Sequence, residues 1–111
     1  MNTGAQAEQL AADYLQRQGL RLITKNYRSR FGEIDLILYD GKVLVFVEVR
    51  LRRNADFGGA AASIDARKQT KLITTAQQYL STLPTVPACR FDAILLDGSG
   101  RIEWLKHAFT A

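Results

Sequence analysis

Apolar positions recur along this chain with two periods, and each change of period marks a new element. From Thr3 to Gln18, the residues Ala7, Leu10, Ala11, Tyr14 and Leu15 return at helical spacing, and Gly19 supplies a stop. Leu20 to Tyr27, Gly32 to Tyr39 and Lys42 to Arg50 read as strands, and Asp40-Gly41 predicts a two-residue hairpin between the last two. Leu51 to Ala62 is polar at first and then rich in glycine and alanine, which predicts a loop. A second helix follows, with Ser63 as N-cap and a core stripe of Leu72, Ile73, Ala76, Tyr79 and Leu80, ended by Pro84 and Pro87. Arg90 to Leu96 and Arg101 to Leu105 read as further strands joined by Asp97-Gly98-Ser99-Gly100. The predicted order, αβββαββ, is that of an α/β domain whose mixed central sheet is flanked by helices.

The hairpin brings acids together. With Asp40 and Gly41 as the loop, Tyr39 pairs with Lys42, Glu33 lies opposite Glu48, and Asp35 and Glu48 become diagonal neighbours. Alternation then places Glu33, Asp35, Glu48 and Arg50 on one polar face, and Ile34, Leu36, Leu38, Val45, Val47 and Val49 on the core face. Like charges opposed across a strand pair repel, so a cation is expected among them. Two arrangements fit the spacing equally. A hard divalent ion, Mg²⁺ or Mn²⁺, would sit on Asp35, Glu48 and the backbone carbonyl of Val49. Alternatively Arg28, Arg30 or Arg50 would neutralise the acids in a structural ion-pair network.

Composition narrows the class. A chain of 111 residues predicts a single domain over residues 1–111. It carries no apolar run of about 20 residues and no basic-then-apolar leader, so the expectation is a cytoplasmic protein with no membrane partner. Cys89 is the lone cysteine, which excludes an internal disulfide and a zinc cluster of several thiolates and predicts a small buried residue. A net charge of +4 and a pI near 9.5 favour polyanions. Arg28, Arg30, Arg50, Arg52 and Arg53 flank the acidic strand pair, and Arg67, Lys68 and Lys71 open the second helix. The loop carrying Arg52 and Arg53 is the leading contact candidate for DNA.

The runs Gly4-x-x-Ala7-Glu8, GEIDLI at 32–37, VFVEVR at 45–50 and RFDAILL at 90–96 resemble those of the YraN family of small bacterial proteins, over about Gly4 to Phe109. That family is similar in turn to the PD-(D/E)xK nuclease superfamily, and above all to archaeal Holliday-junction resolvases. The resemblance implies a restriction-endonuclease-like core and a metal-dependent nuclease hydrolysing phosphodiester bonds in DNA, branched or single-stranded. It also implies catalytic roles by position: Asp35 for the superfamily's aspartate, Glu48 and Arg50 at the D/E-x-K positions, and Glu8 for the acid on the first helix. Glu33 and Gln69 would support these from behind, and Arg30, Arg52, Arg53 and Lys68 would meet the nucleic acid. A symmetric homodimer would suit a junction with two strands to cut.

The chain departs from the superfamily pattern twice. No proline precedes Asp35, and Arg50 stands where the classical pattern has lysine. A guanidinium does not give up its proton at ordinary pH, so Arg50 is assigned to charge stabilisation rather than to base chemistry. This keeps an alternative open: a nuclease-fold module that binds nucleic acid with weak or no cleavage. A protein-interaction scaffold on an old nuclease fold is a third reading. Asp92 is expected in an ion pair with Arg90, His107 has no second ligand at metal spacing, and Trp104 and Phe31 are expected as core or edge aromatics before base-stacking ones.

Overall fold

A computed structural model describes residues 4–52 and 64–110. Its elements follow the order α1 (Gly4–Arg17), β1 (Arg21–Ser29), β2 (Gly32–Asp40), β3 (Val43–Arg52), α2 (Ala66–Leu80), β4 (Cys89–Asp97) and β5 (Ile102–Phe109). The strands form one sheet in sequence order, antiparallel except for the parallel pair β3–β4, which α2 connects. A parallel pair requires such a crossover, and a helix there covers a sheet face. The fold is therefore mixed α/β: a five-stranded mixed sheet and, among the described residues, two helices. Neither is long and apolar enough to cross a membrane.

Each helix buries its stripe on a different face of the sheet. Ala7, Ala11, Ala12 and Leu15 of α1 pack on Leu36, Leu38, Val45, Val47, Ile94 and Leu96. Leu72 and Ala76 of α2, with Ile64, pack on Ile37, Leu44, Phe46, Phe91, Ala93 and Leu95. The stripe of α1 is rotated from the predicted one. Leu10 is 43% exposed, and Ala12 is buried in its place. Three of the four buried positions on this face are small alanines, which let the helix axis approach the sheet closely. The predicted stop at Gly19 is a Schellman motif: Gly19 has φ 96, Leu20 N–H donates to Leu15 O, Gly19 N–H donates to Gln16 O, and Leu20 is buried at the exit.

Several expectations change. The division into one polar and one apolar face does not hold, because the sheet interior is apolar on both sides. The hairpin loop is Gly41-Lys42, since Asp40 pairs with Val43 and Tyr39 with Leu44. Gly41 has φ 61 at the first loop position, as a type II′ hairpin needs, and Asp40 is held in the ladder by an ion pair with Arg90 at 2.9 Å. Ser63 lies outside the described residues, and the cap of α2 is Asp65, whose side chain accepts the Lys68 N–H at 2.8 Å. Cys89 is exposed rather than buried, because it opens β4 ahead of the core residues.

Strand β5 runs four residues beyond its predicted end. Its pairing with β4 shifts between Phe91 and Ala93, and His107 adopts φ 53 in the resulting bulge. Fully buried Asp92 fixes this bulge by accepting hydrogen bonds from the His107 N–H (3.1 Å), Trp104 Nε1 (3.0 Å) and Arg90 Nε (3.0 Å). Asp92, paired with Arg90 as expected, is thus a structural acid of the sheet.

Candidate metal centre

The polar site forms where the sheet opens. Pairing between β2 and β3 ends at Leu36–Val47, one step before Asp35 would meet Glu48 directly. There the Asp35 side chain replaces the backbone as acceptor, with its Oδ2 taking the Val49 N–H at 2.8 Å. The break also reverses the alternation of β2. Ile34 is buried with the α2 core, although Leu36 and Leu38 are buried with the α1 core. On the other side, pairing of β1 with β2 omits the Asn26–Asp35 step, and Asn26 has φ 55. A left-handed asparagine is among the least costly ways to bend a strand at one residue.

Carboxylates from three elements converge at this opening. Glu8 of α1, Glu33 and Asp35 each place an oxygen within 4.8 Å of the others. Glu48 is buried, with 5% of its surface exposed, and interacts directly with Asp35. Burial first, then the charge of Glu48, raises the Asp35 pKa to about 6, against the lowering effect of the Val49 N–H. Burial and the charge of Asp35 raise the Glu8 pKa as well, while a hydrogen bond from Asn26 opposes this. Asp35 and Glu8 are therefore each pushed towards the protonated form by burial and by a neighbouring carboxylate.

Cations hold the rim. Glu48 Oε2 lies 3.2 Å from Arg50 Nε and 3.4 Å from Lys68 Nζ of α2, and Glu33 Oε2 lies 2.9 Å from Arg28 Nε. The Arg50 contact is an ion pair without hydrogen-bond geometry, since its buried Nε has no hydrogen-bond partner. A cavity of about 340 Å³ opens between these groups, lined by Glu8, Glu33, Asp35, Glu48, Arg50 and Lys68 among others.

The structure thus brings Glu8, Asp35, Glu48, Arg50, Val49, Glu33 and Lys68 around one cavity. Glu8, Glu33 and Asp35 form a close three-carboxylate group, and Glu48, expected beside Asp35 as a ligand, lines the same cavity with one oxygen near Arg50 and Lys68. Val49 contributes its N–H to Asp35. Gln69 lies apart, with its amide donating to Ile64 O at 2.9 Å, and Arg30 lies on the β1–β2 turn over the Phe31 ring. Arg52 ends β3, and Arg53 lies outside the described residues. Asn26 is the site residue that sequence reasoning missed. Its only signal was a strand-breaking residue type amid a strand pattern.

The stretch of chain that carries this cavity matches a known family. The profile of the family described as Uncharacterised protein family UPF0102 matches residues 7–96, which hold every wall residue except Gly4. The chain belongs to UPF0102. UPF0102 proteins of Psychromonas ingrahamii and Nitrosomonas eutropha are 57% and 56% identical to it over 107 and 108 residues. These alignments cover 96% and 97% of the chain and 88% and 93% of the relatives. A UPF0102 protein of Methylobacillus flagellatus is 57% identical over 111 residues, covering 97% of the chain and 96% of that protein. The YraN-like motifs therefore pointed to the right family, and the UPF0102 match spans α1 through most of β4.

Proposed function

We propose that this UPF0102 protein is a divalent-metal-dependent nuclease of restriction-endonuclease-like architecture, acting on DNA in the cytoplasm. The observation that carries the reading is the Asp35 carboxylate, fixed by the Val49 N–H at the open end of β2 and β3 and facing Glu8, Glu33 and Glu48. Acids this close, one buried and three partly buried, repel one another unless a cation joins them. An all-oxygen donor set suits Mg²⁺ or Mn²⁺ and suits zinc poorly. The element order, with α2 crossing between parallel β3 and β4, supports the architecture.

Asp35, Glu8 and Glu33 would hold the ion, and Glu48 would fix its own position between Asp35, Arg50 and Lys68. Such an ion supplies a lowered pKa for bound water and charge neutralisation at a phosphate. Arg50 and Lys68 line the same cavity, so they would attract a phosphodiester and stabilise the charge that builds on its oxygens. Arg50 keeps its proton throughout, and its part is electrostatic.

A second reading has its own support. The pairing of both Arg50 and Lys68 with Glu48 suits a nuclease-fold module that binds DNA without cutting it. Calorimetric titration of Mn²⁺ into wild type and Asp35→Ala, followed by incubation with labelled branched and single-stranded DNA, separates the two. Saturable binding and cleavage in wild type, both lost in the folded Asp35→Ala protein, are expected. Cleavage that persists in both Asp35→Ala and Glu48→Ala overturns the nuclease reading, and DNA binding without turnover selects the second.

A further inference from the structure

A second cavity, of about 390 Å³, lies at the β1–β2 hairpin tip and is lined by Tyr27, Arg28, Ser29, Arg30, Phe31 and Gln78. Its floor comes from hydrogen-bonded strand, and Gln78 of α2 closes one side. Phe31 is 37% exposed at the tip, and the Arg30 guanidinium sits 5.0 Å from its ring centroid. No described carboxylate pairs with Arg30. Arg28, three-quarters exposed, lines this cavity, while its partner Glu33 lines the acidic one, so the Arg28–Glu33 pair is the wall between them.

We infer that the hairpin tip docks the unpaired bases of a single-stranded nucleic acid, with Phe31 as the stacking platform and Arg30 and Arg28 as phosphate contacts. The inference rests on the reading of the acidic cavity as a phosphodiester site, and it names the substrate that site receives: a strand with exposed bases. This ring at the turn belongs to neither core cluster, and a flat ring capped by a guanidinium matches a base face and a backbone phosphate together. A paired duplex hides its base faces and cannot use the ring. The chain runs from the acids to the tip without a gap: Glu33 is one residue beyond Gly32, and Ser29 pairs with Gly32. Gly32 itself is hemmed in by α2, where an added Cβ would come within 3.2 Å of Thr75 Oγ1, so the tip is seated against the helix.

The test is fluorescence anisotropy with a labelled oligothymidylate of about 12 nucleotides, within the range that small single-strand-binding domains cover. A blunt duplex of the same length serves as control, and EDTA is present throughout so that metal binding and cleavage play no part. Phe31→Ala is expected to weaken single-strand binding roughly tenfold, the effect of removing one base stack, and to leave duplex binding unchanged. Arg30→Ala is expected to lower the slope of log affinity against log salt by about 0.7, one phosphate contact on a single strand. Phe31→Trp is expected to keep the affinity and to show indole fluorescence quenched by the oligonucleotide. Equal single-strand binding by wild type and Phe31→Ala, equal loss on duplex, or no single-strand binding by wild type overturns the proposal. Metal-dependent cleavage combined with an inert Phe31 would leave the nuclease reading standing alone. Single-strand docking through Phe31 in a protein that never cleaves would retain the docking surface and remove the nuclease.

Discussion

Replacing Asp35 by asparagine removes one negative charge from a group of four acids, and the expected result is a more stable protein. In the fold its pKa rises from 3.8 to about 6. A rise of about two pH units is worth about 3 kcal/mol of differential free energy between the protonation states. Because the folded value lies above the unfolded one, the contribution of Asp35 is fully favourable below about pH 4 and is lost as pH rises through about 6. Asparagine has nothing to titrate and can still accept the Val49 N–H through its amide oxygen while donating to a neighbouring carboxylate. Some of the gain disappears as Glu8 adjusts its own protonation, which leaves about 2 kcal/mol at neutral pH. Urea unfolding of both proteins from pH 4 to pH 8 in EDTA measures this. The curves should nearly coincide at pH 4 and separate by about 2 kcal/mol above pH 7, or roughly 8 °C in melting temperature for a domain of this size. Adding Mn²⁺ should close or invert the gap, since an ion at about 100 times its Kd stabilises wild type by about 2.7 kcal/mol. A difference that is constant with pH, or an asparagine variant less stable than wild type at pH 8, would refute the electrostatic argument.

Two further predictions concern the frame that holds the site. Asp92→Ala leaves Arg90 with only Asp40 and strips the acceptor from Trp104 and the His107 N–H, so urea unfolding should show a loss of about 3 kcal/mol; a loss below about 1 kcal/mol would show that the bulge does not depend on this acid. Asp65→Ala removes the side-chain acceptor from the first turn of α2 and should cost about 1 kcal/mol, read as a fall of about 4 °C in melting temperature. Because Lys68 sits in that same turn, the same variant should also weaken DNA binding if the start of α2 positions this ammonium.

Local patterning was enough to define the elements, their order and the family. Helical spacing marked α1 and α2, strand content marked five strands, and the motifs around Glu8, Asp35 and Glu48 carried the resemblance that the UPF0102 match bears out. Hydropathy could not distinguish the two faces of the sheet. The same apolar residue types serve the α1 core and the α2 core, and only the positions of the helices assign each residue to one of them.

The predicted register was two residues away from the observed one. A shift of two keeps every side chain on its face, so hydrophobic pattern cannot detect it; the turn geometry at Gly41 and the Arg90–Asp40 pair decide it instead. The sequence by itself therefore determined the elements and their mixed α/β order, because periodicity is a local property, while the acid on α1 entered only through the family resemblance. Tertiary structure alone decided that Glu33 joins Glu8 and Asp35, that Lys68 reaches Glu48 from α2, and that Asn26 steadies Glu8. Those relations arise where β2 breaks from its neighbours and two helices from opposite faces meet at the opening, and no spacing along a single strand or helix encodes that meeting.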